Sequence, residues 1–149
     1  VVYSTGSVNT ELYLSSYPEN GWNTGGATVI GQKSGKKVKT TDFDKMLFET
    51  IEREGKKIRL LKLDCEGSEW PILINSQLLD NVEEICGEYH EFGGEYDNGF
   101  VPEDITGYSK LTSTELYQML KLKGFEAEIV PKVFSGKPDG TGLFFAKRK

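Results

Sequence analysis

Leu60-Leu61-Lys62-Leu63-Asp64-Cys65-Glu66-Gly67-Ser68-Glu69-Trp70 decides how this chain is read. An apolar run ends in acids and a glycine, and a helix-like segment follows. A buried parallel strand delivers side chains in this way to the carboxyl edge of an open α/β sheet, where ligands and chemistry collect. Asp64 falls where the strand should stop. Gly67 permits a tight turn, and Ser68 or Glu69 can serve the first turn of the next helix. That helix is expected over Glu69 to Asn75, with Pro71 tolerated in its first turn because an N–H there has no partner to lose.

Ile58 to Leu63 thus reads as the central strand, and the flanking segments follow from it. Upstream, Thr41 or Asp42 can cap a helix to about Glu54, with Phe43, Met46, Leu47, Phe48 and Ile51 as its apolar face and Gly55 as its stop. Val38-Lys39-Thr40 is a short extended piece. Tyr17 to Gly35 is rich in Gly, Asn, Pro and Ser and reads as loop, broken by a short strand at Ala27 to Ile30; Val8 to Leu14 alternates as a strand.

Downstream, Val82 to Tyr89 is the next apolar strand, with Glu88, His90 and Glu91 at its carboxyl end. Phe92 to Lys110 is a long acidic segment. Thr112-Ser113-Thr114-Glu115 is a capping box opening a helix whose buried face is Leu116, Met119, Leu120 and Leu122, closed by Gly124. Glu126 to Phe134 and Leu143 to Ala146 are strands joined by a turn-rich connection of hairpin length, Gly136 to Gly142, and are expected to be antiparallel neighbours. Alternation of strands and helices predicts an α/β fold: a partial doubly wound, mainly parallel sheet with an antiparallel C-terminal strand.

The 149 residues suit one domain, and 37% hydrophobic with 28% charged content fits a globular protein. A net charge of −5 with only short basic runs argues against a nucleic-acid partner. No stretch approaches the roughly 20 apolar residues of a membrane helix, and Val1-Val2-Tyr3-Ser4 lacks the features of a signal peptide, so a cytoplasmic location is expected. Cys65 and Cys86 read as buried thiols. One histidine and no close cysteine pair give no expectation of a metal site.

Lys62-Leu63-Asp64-Cys65-Glu66-Gly67-Ser68-Glu69 resembles the Lys-x-Asp-x-Glu-Gly-x-Glu signature of the FkbM family of S-adenosylmethionine-dependent methyltransferases. Thr40-Thr41-Asp42 is similar to the family's Thr-x-Asp segment, and Glu88-Tyr89-His90 to its Glu-x-His. Leu116 to Phe125 and Leu143 to Ala146 resemble its closing helix and last strand, and Asn23-Thr24-Gly25-Gly26 its Asn and Gly-rich loop. The resemblance implies a Rossmann-like fold, S-adenosylmethionine as cofactor and a small-molecule or sugar hydroxyl as acceptor. No Gly-x-Gly-x-Gly turn follows an N-terminal strand, so the chain is expected to be the C-terminal part of such a domain, inactive by itself. A sheet edge left uncovered would call for a partner or a homo-oligomer. The rival reading is a degenerate, non-catalytic Rossmann-like interaction module.

Asp64 either caps the next helix or lines the methyl-transfer cleft. Glu66 can share that role, contact the cofactor, or favour the helix N-terminus electrostatically. Glu69 reads as a structural early-helix acid. His90 is either a hydrogen-bonded surface residue or a general base taking a proton from the acceptor hydroxyl. Asn23, Gly25 and Gly26, with Trp22, either border the cofactor or form a plain loop. Trp70 reads as core, packing its helix on the sheet, or as an aromatic that shapes the cleft. Tyr96, Phe100 and Tyr108 belong either to an acceptor lid or to rings that pin the loop.

Overall fold

The computed structural model describes residues 11–14, 36–95, 101, 105 and 107–149. The expected strand at Ala27 to Ile30 and the first half of the one from Val8 lie outside them. Strand β1 (Glu11–Leu14) pairs antiparallel with β2 (Lys36–Lys39), Glu11 opposite Lys39.

Helix α1 (Phe43–Glu54) follows. The Lys45 N–H donates to Asp42 Oδ1 at 2.9 Å, and Gly55 ends the helix at φ 61°, a left-handed conformation that suits glycine. Its buried stripe is narrower than expected. Phe43 and Leu47 are buried and Ile51 is partly so, whereas Met46 and Phe48 are exposed. At helical pitch those two sit about 100° to either side of the stripe.

Strand β3 (Ile58–Leu63), helix α2 (Glu69–Asn75), a 3₁₀ turn (Leu79–Asn81) and strand β4 (Val82–His90) come next, then helix α3 (Ser113–Leu122) and strands β5 (Phe125–Phe134) and β6 (Lys137–Arg148). The last four strands form one sheet in the order β3-β4-β6-β5. Only β3 and β4 run parallel; β6 lies antiparallel to both β4 and β5. The sheet is therefore mixed rather than mainly parallel. The cause is the hairpin: Ser135 and Gly136 turn at φ 50° and 79°, and β6 returns between β5 and β4.

β3 is also an edge strand of the described sheet rather than its centre. Of its residues Leu63 is buried, while Arg59, Leu60 and Lys62 are exposed. β6 begins six residues earlier than the expected Leu143. Its glycines read as turn residues, but Gly142 is a close approach. A Cβ there would lie 2.7 Å from the Tyr89 ring and 2.5 Å from the Val130 carbonyl.

All three helices contribute to one apolar cluster with the inner face of the sheet. Phe43 and Leu47 of α1, Trp70, Ile72 and Leu73 of α2, and Leu116, Met119 and Leu120 of α3 join Ile85, Tyr89, Phe125 and Phe144. α3 carries its capping box as expected, but Leu122 is 88% exposed, since it points away from the Leu116–Leu120 stripe. The other sheet face carries Leu60, Cys86, Phe145, Leu143 and Val130 among acids and lysines, with Lys147 pairing Glu84 at 3.0 Å. Among the described residues no helix is long and apolar enough to cross a membrane.

Candidate functional site

The site forms where β3 and β4, parallel neighbours, both end. After Asp64 the chain reverses through Glu66 (φ 52°) and Gly67 (φ 99°), and the Ser68 N–H donates to the Cys65 carbonyl at 3.1 Å. Glycine takes this conformation freely; a non-glycine residue in it costs about 1–2 kcal/mol. The turn feeds α2, whose sequence Glu69-Trp70-Pro71-Ile72-Leu73 is buried throughout.

Glu69 is the centre of the arrangement. It is 0% exposed, and both oxygens are used. Oε2 accepts from the Gly67 N–H at 2.9 Å and from the Cys65 thiol at 3.7 Å. Oε1 accepts from the His90 backbone N–H and meets His90 Nδ1, each at 2.9 Å. The Trp70 indole N–H donates to the His90 carbonyl at 2.6 Å. The first turn of α2 thus ties the end of β4 to the turn after β3.

His90 has a side chain 12% exposed, and its Nε2 lies 3.2 Å from Glu66 Oε2, on a side chain 27% exposed. Each ring nitrogen thus faces a carboxylate oxygen, Nδ1 that of the buried Glu69 and Nε2 that of Glu66, and a carboxylate only accepts. Burial opposes the imidazolium, but the hydrogen bond to Glu69, its charge and those of Glu66 and Glu88 outweigh burial and hold His90 above its ordinary pKa. Burial, aided by Glu88, Asp64 and Glu69, likewise lifts the Glu66 carboxyl above its usual range against the pull of His90. Burial and then Glu69 push the Cys65 thiol up, so it stays neutral. Cys65 and Cys86 are both free and half-buried.

Glu66 and His90 are brought together. Asp64 stands at the same edge, but its carboxylate, 44% exposed, pairs with Lys62 Nζ at 3.1 Å, and it reaches the site through its charge on Glu66. Asn23, Gly25, Gly26 and Trp22, and in the long loop Tyr96 and Phe100, lie outside the described residues. Tyr108 packs partly buried against the core, and Trp70 is core.

Glu69 is the residue that reading the sequence undervalued. A signal was present: it opens a segment too apolar to have a solvated side. An acid in such a helix has to be buried and therefore partnered.

Compared with known proteins, the sequence matches the family described as Methyltransferase FkbM domain over residues 3–126, a span that includes β3, the turn, α2, β4 and α3. No curated protein and no solved structure matches the chain. Because the matched span is most of the chain and contains the whole Glu66–Glu69–His90 arrangement, the chain belongs to the FkbM methyltransferase domain family.

Proposed function

We propose that the chain forms the acceptor side of an S-adenosylmethionine-dependent O-methyltransferase of FkbM type, acting on a small-molecule or sugar hydroxyl. The observation that carries this reading is His90, held at the carboxyl end of β4 between a buried and a half-exposed carboxylate. When bound, S-adenosylmethionine supplies a methyl group on a positively charged sulfonium. The charge of the described edge suits such a group: Asp64, Glu66 and Glu88 gather there, and the proton affinity of Glu66 is raised first by burial and further by Glu88 and Asp64.

In this reading His90 takes the proton of the acceptor hydroxyl and Asp64 lines the approach. Glu66 lies within reach of His90 and would be the carboxylate offered to the cofactor's charge. Asn23, Gly25 and Gly26 remain the candidates for further cofactor contacts. Methyl transfer depends mainly on alignment of nucleophile, methyl and leaving group, so removing the base slows the reaction without weakening donor binding.

Two measurements test the reading. Because the sequence has no Gly-x-Gly-x-Gly turn after a strand, calorimetry of the 149 residues alone with S-adenosylmethionine is expected to detect no binding. In a longer protein that binds the donor, His90→Gln is expected to lower kcat by about 10²–10⁴-fold at unchanged donor affinity. The rate should climb with pH through a limb above the ordinary histidine value, since the base must be neutral to act. A flat profile would remove His90 from the chemistry.

A second reading, a non-catalytic module that pairs with a second copy of itself, is favoured by the exposed Leu60, Leu143, Phe145 and Val130 on one sheet face. Sedimentation showing a monomer at every concentration would eliminate it.

A further inference from the structure

The groups around His90 come from each neighbouring element. From α2, Glu69 presents a fully buried carboxylate at 2.9 Å from both Nδ1 and the backbone N–H. From the turn, Glu66 meets Nε2 at 3.2 Å, and Asp64 acts on Glu66. From β4 itself comes Glu88, and from β6 the register partner is Thr141, which is uncharged. Among the described residues, the other groups bonded to Glu69 (Gly67 N, His90 N and Cys65 Sγ) are donors, so the carboxylate leaves Nδ1 only one role.

The geometry points to Glu69 as a positioning residue: it holds neutral His90 as the Nδ1–H tautomer, makes Nε2 the atom that receives the acceptor's proton, and with Glu66 sets the basicity of that atom. The consequence for chemistry rests on the methyl-transfer reading; the tautomer does not. In the transfer, the acceptor O–H bond breaks toward Nε2 while its oxygen forms a bond to the methyl carbon. The carbon–sulfur bond breaks with its electron pair staying on sulfur, so the sulfonium becomes a neutral thioether. The imidazolium then returns its proton to solvent beside Glu66. For the hydroxyl to enter, Glu66, whose side chain is 27% exposed, must turn aside.

His90 is the single histidine of the chain, so its ring nitrogens can be followed without ambiguity in the ¹⁵N-labelled 149-residue protein. Across a pH titration Nδ1 is expected to stay protonated while only Nε2 titrates, with a midpoint above that of a free histidine. Glu66→Gln is expected to lower the midpoint and leave the tautomer unchanged. Glu69→Gln is expected to lower the midpoint and admit the Nε2–H tautomer. Should Glu69→Gln fail to fold, the wild type and Glu66→Gln still decide the matter. A neutral wild-type ring protonated on Nε2, a tautomer mixture, or a midpoint that Glu66→Gln does not move would overturn the assignment. The expected titration together with absent methyl transfer in the donor-binding protein would uphold the positioning and discard the function built on it.

Discussion

His90 sits between two acids, and its charge state couples the site to stability. Its folded pKa is raised, as is that of Glu66. For His90 the resulting stabilisation is fully present below the unfolded value of about 6.5 and is lost as pH rises through the folded value. For Glu66 it is present below the unfolded value of about 4.3 and lost in the same direction. The wild-type urea midpoint is therefore expected to fall as pH rises above about 6.5, and His90→Gln to flatten that fall. A difference between the two proteins that stays constant across this range would disprove the shift. Gly87 makes a second case at this scale. It faces Leu63 across the parallel pair, and a Cβ on it would lie 1.9 Å from the Leu63 carbonyl oxygen. Gly87→Ala is expected to cost about 3 kcal/mol, as an overpacked core site does, read as a lower urea midpoint at unchanged slope. Composition gave no hint of this glycine's role, because the contact lies between strands more than twenty residues apart.

The helices were readable element by element because their signals are local. Asp42, Gly55, the Thr112 capping box and Gly124 mark the ends where the structure has them. The Thr112 side chain and the Glu115 carboxylate bond each other and each other's backbone. Asp42→Ala removes the acceptor for the Lys45 N–H and is expected to cost about 1 kcal/mol in chemical denaturation. No measurable change would mean that the cap is already replaced by water. The strands were harder. β3 was readable as a strand from its apolar run, but not as an edge of the described sheet, because its neighbour is set by a register made elsewhere in the chain. β6 was readable only over its apolar end; Pro138, Gly140 and Gly142 hid the rest, although they lie within a single strand.

At the scale of the molecule, the sheet of the described residues is two-sided: helices pack on one face, while the other carries exposed apolar residues. Phe144 and Phe145 are sequence neighbours on opposite faces, the first fully buried and the second half exposed. Phe144→Ala is expected to destabilise by about 3–5 kcal/mol, and Phe145→Ala by less than about 0.5 kcal/mol. Equal losses by thermal or urea unfolding would show that the open face is covered in solution.

What the sequence determined by itself was the set of elements and the two chain positions, the turn at Asp64 to Glu69 and the strand end at His90, at which chemistry belongs. Capping, periodicity and turn chemistry depend on residues a few positions apart, and those are visible in one dimension. Only the tertiary structure decided that Glu69 grips His90 from twenty-one positions away, that Glu66 rather than Asp64 meets its outer nitrogen, and that β6 inserts between β4 and β5. Those outcomes depend on which strands lie side by side and on burial that forces an acid to find its donors, and neither is written in any local stretch of the chain.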